Sequence, residues 1–74
     1  MSPRDEAVQN HVRRLRRALD VTQQDLANQV GVTRQTIVSI EKGRYNPSVG
    51  LALRLARALD VSVEALFQLD PEVQ

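Results

Sequence analysis

Arg34, Gln35, Ser39 and Lys42 fall in the segment RQTIVSIEK, where Ile37 and Ile40 recur at helical spacing. On a helix turning about 100° per residue, placing Ile37 at the centre of the inner face puts Ile40 and Glu41 beside it. The same rotation turns Gln35, Ser39 and Lys42 outward, while Arg34 and Thr36 occupy an exposed first turn behind a Thr33 cap. A guanidinium, a carboxamide, hydroxyls and an ammonium contain no nucleophile paired with a base; what they offer is a hydrogen-bonding array. The Arg34 fork matches guanine O6 and N7, the Gln35 amide matches adenine N6 and N7, and Val38 on the flank suits a thymine methyl. Taken alone, such a face reads first as the solvated side of a helix, so the surrounding elements must decide for base readout.

Other chemistries have few residues to work with. The 74-residue chain holds no cysteine and one histidine, His11, so neither a thiol nucleophile nor a zinc ligand set is available. Ser39 and His11 do not make a triad, and there is no glycine-rich loop to cradle phosphate. No enzymatic activity, metal or cofactor is expected. The first ten residues are polar and no apolar run reaches the length of a membrane span, so the expectation is a cytoplasmic protein without a membrane partner. The net charge of +1 hides an asymmetry: eight Arg and Lys against five Asp and Glu up to Arg44, then two against four. The basic side accompanies the early helices, where a polyanion would be met.

Five short helices are predicted, at about 6–19, 23–30, 34–42, 49–59 and 63–68, in one domain spanning 6–69. Flexible ends are expected at 1–5 and 70–74, and no strand is expected. Val8, Val12, Leu15 and Leu19 set the inner face of the first helix, and its other face carries Arg13, Arg14, Arg16 and Arg17. Of these, Arg13, Arg14 and Arg17 read mostly as solvated charges. Thr22, Thr33, Ser48 and Ser62 are placed as N-caps. Val21, Val32 and Val61 each precede a cap and stand five residues before Leu26, Ile37 and Leu66, the spacing of a hydrophobic staple. Gly31 and Gly43 supply left-handed exits. The segments RALDVT (17–22) and RALDVS (57–62) repeat one exit-and-re-entry solution, with Asp20 and Asp60 at the exits.

Two helices of eight and nine residues joined by Gly31-Val32-Thr33 have the form of a DNA-binding helix-turn-helix. Ala27 is small where the pair must approach closely, and Gln23, Ala27, Gly31, Ile37 and Ile40 occur together at the required spacing. At these residues the chain resembles the lambda-repressor and Cro-like helix-turn-helix proteins, the XRE family, over about residues 10–69, most closely through RQTIVSIEKGRYNPS. The resemblance implies an all-α five-helix domain that binds a double-stranded DNA operator, usually as a homodimer and most often as a repressor. Base readout is then expected from Thr33, Arg34, Gln35, Thr36, Val38 and Ser39. The resemblance assigns a phosphate contact to Gln23; Lys42, Arg44 and Asn46, around the turn after the third helix, suit the flanking backbone. It also implies a structural ion pair between Arg16 and Glu41. Val63, Leu66, Phe67 and Leu69 offer more apolar surface than a short terminal helix needs and are the expected dimer contact. The alternative is an antitoxin or adaptor module that acts mainly on a protein partner.

Overall fold

Residues 8–69 are described by the computed structural model; the expected flexible ends and the expected helical start at Glu6 lie outside them. The elements run β1 (Val8–Asn10), α1 (Val12–Ala18), α2 (Gln23–Val30), α3 (Arg34–Glu41), α4 (Val49–Ala58), α5 (Val63–Leu66) and β2 (Phe67–Leu69). Among the described residues the architecture is five helices plus one small antiparallel sheet. No helix among the described residues is long and apolar enough to cross a membrane.

The helix boundaries follow from how the chain satisfies its terminal amides and carbonyls. Hydroxyls of Thr22, Thr33, Ser48 and Ser62 accept from the amides of Asp25, Thr36, Leu51 and Ala65, opening α2 to α5. Each accepts from a donor that the helix itself cannot satisfy. The exits are as uniform. Asp20, Gly31, Gly43 and Asp60 all take positive φ, between 57° and 77°. In each case the next residue's amide reaches back five positions: Val21 to the Arg16 carbonyl, Val32 to Ala27, Arg44 to Ser39 and Val61 to Ala56. This is the Schellman closure, and Asp adopts it at two sites where glycine carries no Cβ penalty. Because Val21, Val32 and Val61 pack against the core immediately after such an exit, each turn delivers the chain into the next helix at a fixed angle.

One core results. Val12 of α1, Leu26, Ala27 and Val30 of α2, and Ile37 and Ile40 of α3 meet Leu51, Leu55 and Ala56 of α4, with Leu59 and Leu66 closing it. No polar residue among those described is fully buried. Arg54 reaches from α4 to the end of α2, its Nε donating to the Val30 carbonyl at 3.1 Å. Nothing in the structure requires glycine at position 50: a Cβ there would make only an ordinary contact with Arg54.

Two expectations are corrected. The first helix begins at Val12, not before Val8; Val8–Asn10 is a strand, paired antiparallel with Phe67–Leu69 in the register Val8 to Leu69, Gln9 to Gln68 and Asn10 to Phe67. The same pairing ends α5 at Leu66 rather than at 68. Val8 and Val12 are compatible with one helical face, but the backbone of 8–10 finds its partners about sixty residues away, which a local pattern does not reveal. The His11 amide extends the junction by donating to the Leu66 carbonyl at 2.9 Å.

Gly31 carries φ +77° with nothing within 4 Å of a built Cβ, so a substitution there has only a conformational cost. Gly31→Ala is expected to destabilise by about 1–2 kcal/mol in urea unfolding, and Gly31→Asp by less, since Asp20 and Asp60 already hold this conformation. Equal costs for the two variants would contradict the reading.

Candidate nucleic-acid interface

The site begins with a carboxylate that the fold keeps from water. Glu41, last residue of α3, has a side chain 4% exposed. Arg16 of α1 meets it with a fork: Nε donates to Oε2 at 2.7 Å and a terminal nitrogen to Oε1 at 3.3 Å. The other terminal nitrogen of Arg16 donates to the Val21 carbonyl at 2.8 Å, tying in the turn after α1. Gln23, first residue of α2, adds a bond from Nε2 to Glu41 Oε1 at 3.1 Å. Three helices are thereby joined at one carboxylate. Asn10 supplies a further tie, its Nδ2 donating to the Ile40 carbonyl at 2.9 Å while its Oδ1 accepts from the Val12 amide at 3.2 Å. The last turn of α3 is thus held from α1, α2 and β1.

With its inner face fixed by Ile37, Ile40 and Glu41, α3 turns Arg34 and Gln35 to solvent. Ser39 and Val38 are half-buried on either side of that ridge. The side chains are partly ordered among themselves: Gln35 Nε2 donates to Ser39 Oγ at 3.4 Å, and the Thr33 and Thr36 hydroxyls pair at 3.2 Å. Thr33 is also committed to its cap, accepting from the Thr36 amide. Lys42 follows directly as the C-cap, and Arg44 and Asn46 are exposed in the turn that precedes α4.

The ridge has a concavity on each flank. On one side an open cleft of about 590 Å³ lies between α1, α2 and α3; Val38, Lys42 and Gln23 share it with Arg13 and Arg17 around the Arg16–Glu41 pair. On the other, a shallower hollow of about 290 Å³ is lined by Thr33, Gln35, Thr36, Ser39 and Tyr45. Tyr45 lines this hollow, and the sequence pattern does not single it out. A signal for it exists: it is one of two aromatic residues in the chain, and it stands beside Arg44 and Asn46. It is 46% exposed, a ring the core does not use.

The expected dimer residues separate. Leu66 is fully buried in the core, so it cannot form a subunit contact; its staple spacing from Val61 is what places it inside. Val63 and Phe67 are half-buried against the core, and Leu69, on β2, is 48% exposed. The structure also exposes Val49 and Leu53 on α4, which sequence reasoning does not single out.

Comparison with known proteins agrees with this fold. A helix-turn-helix family model matches residues 12–66, which includes α1 to α5. The chain is 53% identical over 62 residues to an uncharacterized HTH-type transcriptional regulator of Methanothermobacter thermautotrophicus, covering 82% of this chain and 90% of the relative. Among solved structures it is similar to the restriction-modification controller protein C.AhdI of Aeromonas hydrophila. The TM-score is 0.70 at 34% identity, over 74% of this chain and 83% of that one. It is similar also to the P22 c2 repressor in complex with a synthetic operator, with TM-score 0.71 at 30% identity over 73% and 82% of the two chains.

Removing Arg16 alone would strand a carboxylate that is almost wholly shielded. Arg16→Ala and Glu41→Ala are each expected to destabilise by about 3 kcal/mol, with the double variant less costly than the sum by about 1–3 kcal/mol. Additive effects in denaturant titration would show that the pair is not coupled.

Proposed function

Because the chain belongs to the XRE-type helix-turn-helix family of transcriptional regulators, we propose that it is a sequence-specific repressor that inserts α3 into the major groove of an operator. The observation that carries this reading is an exposed polar ridge on a helix immobilised from behind by three other elements. Base recognition demands side chains held in register with base edges, and a rigid backbone beneath them supplies that register. Arg34 and Gln35 are the leading readers, one for guanine and one for adenine. Ser39, Val38, Thr33 and Thr36 complete the surface that meets the groove. The Gln35–Ser39 bond is long and exposed, so it yields readily to a base.

Gln23, Lys42, Arg44 and Asn46 hold flanking phosphates, which positions the domain without reading sequence. Gln23 is suited to this because Glu41 fixes its amide in place. The protein acts as a homodimer, with Leu69 and the half-exposed rims of Val63 and Phe67 at the two-fold contact. Two recognition helices then lie about 34 Å apart and require an approximate palindrome. It acts in the cytoplasm by binding alone, without catalysis or cofactor. The P22 c2 repressor, whose structure holds an operator, supports the repressor reading.

Selection of bound duplexes from a random library is expected to yield a palindromic site. Arg34→Ala and Gln35→Ala should each blur one or two base pairs of it, at about 1–3 kcal/mol of discrimination for each bidentate pairing removed. No enriched sequence would favour the adaptor or antitoxin reading. Sedimentation should find dimers that weaken in Leu69→Asp, and a strict monomer at high micromolar concentration would exclude the dimer.

A further inference from the structure

Four arginines stand within five positions of α1, and only Arg16 has an ion-pair partner among the described residues. Arg13, Arg14 and Arg17 are exposed. Arg13 and Arg17 are one helical turn apart, a spacing at which like charges repel and weaken a helix. The fold obtains no compensating contact for that repulsion within 8–69. Glu41 lines the same cleft, but its charge is already balanced by Arg16, so the pair leaves the charges of Arg13 and Arg17 uncompensated. Lys42, the C-cap of α3, adds a third cation. The concave surface beside the recognition ridge therefore carries a concentrated positive charge that a tetrahedral anion can enter.

From this we infer that Arg13 and Arg17, with Lys42, form a phosphate clamp for the DNA backbone on the α1 flank of the recognition helix. The inference rests on the proposed DNA-binding function and extends its interface to a helix not otherwise assigned to it. The geometry favours a backbone phosphate over a base. The cleft lies to one side of the ridge, next to Val38 and Lys42, and major-groove walls are lined by phosphates. Guanidinium pairs bind phosphate by charge-assisted, often bidentate bonds. Arg13 and Arg17 also border a second hollow of about 610 Å³ toward Asn10 and His11, so the positive surface extends beyond a single phosphate.

The test is duplex binding by fluorescence anisotropy across a salt series, using a selected site and a random duplex of equal length. Arg13→Gln and Arg17→Gln are compared with Arg57→Gln on the exposed side of α4. Each cleft variant should bind several-fold more weakly at low salt, equally for both duplexes. The slope of log K against log salt should become shallower by roughly 0.9 for each phosphate no longer neutralised. Arg17→Lys, which keeps the charge, should retain most of the slope, and Arg57→Gln should leave it unchanged. If wild type binds but the cleft variants keep its affinity and slope, or match Arg57→Gln, the clamp is overturned while the function stands. Weakening confined to the selected site would likewise overturn it, since phosphate contacts are sequence-blind. A wild-type chain that binds neither duplex would overturn the function and the clamp together.

Discussion

A carboxylate removed from water must be answered by partners or it destabilises the fold. Glu41 ends α3 with a side chain only 4% exposed, and the donors that answer it come from Arg16 on α1 and Gln23 on α2. The position of α3 follows from that requirement. Ile37 and Ile40 provide the apolar attraction that draws the helix inward, but apolar contact is not directional and leaves a helix able to roll or slide. The forked Arg16 contact fixes its rotation, and Asn10 fixes its last turn through the Ile40 carbonyl. Arg34 and Gln35 are presented to solvent because the opposite face has this single way to be satisfied.

The helices are legible in the sequence because their ends are written in local chemistry. A hydroxyl three residues before its amide partner, a valine before the hydroxyl, and glycine or aspartate at the exit are short-range signals, and α2 lies at 23–30 as its sequence implies. The outward face of α3 follows from helical rotation alone. What escapes such reading is non-local. The pairing of 8–10 with 67–69 joins two three-residue strands that show no sustained alternation, and each borders a stronger helical pattern. Spacing offers Leu66 two roles, staple and dimer contact, and burial decides for the staple. The Gln23–Glu41 bond depends on the crossing of α2 and α3, which no one-dimensional pattern encodes. Along the chain Arg13 and Arg17 look like a solvated face; only the arrangement of three helices places them beside Lys42.

The same economy explains how so short a chain supports a defined surface. It has no disulfide, so order comes from caps, Schellman exits and one small core. The polar groups divide into two populations. Those that order the backbone, such as Thr22, Ser48, Ser62 and Arg54, bond to free amides and carbonyls at helix ends. Those around α3 are left with donors to spare, and Arg13, Arg17 and Lys42 gather on one flank of it. An N-terminal half richer in cations than the C-terminal half is the one-dimensional trace of this arrangement.

If α3 and its two flanks form the nucleic-acid surface, backbone amide chemical shifts followed during titration with a short duplex at low salt will show it. The largest changes are expected from Thr33 to Lys42, with further changes at Gln23, Arg13, Arg17 and Tyr45, and little on the outer face of α4 around Val49 and Leu53. Changes concentrated on α4 and α5, with α3 undisturbed, would contradict this placement of the surface.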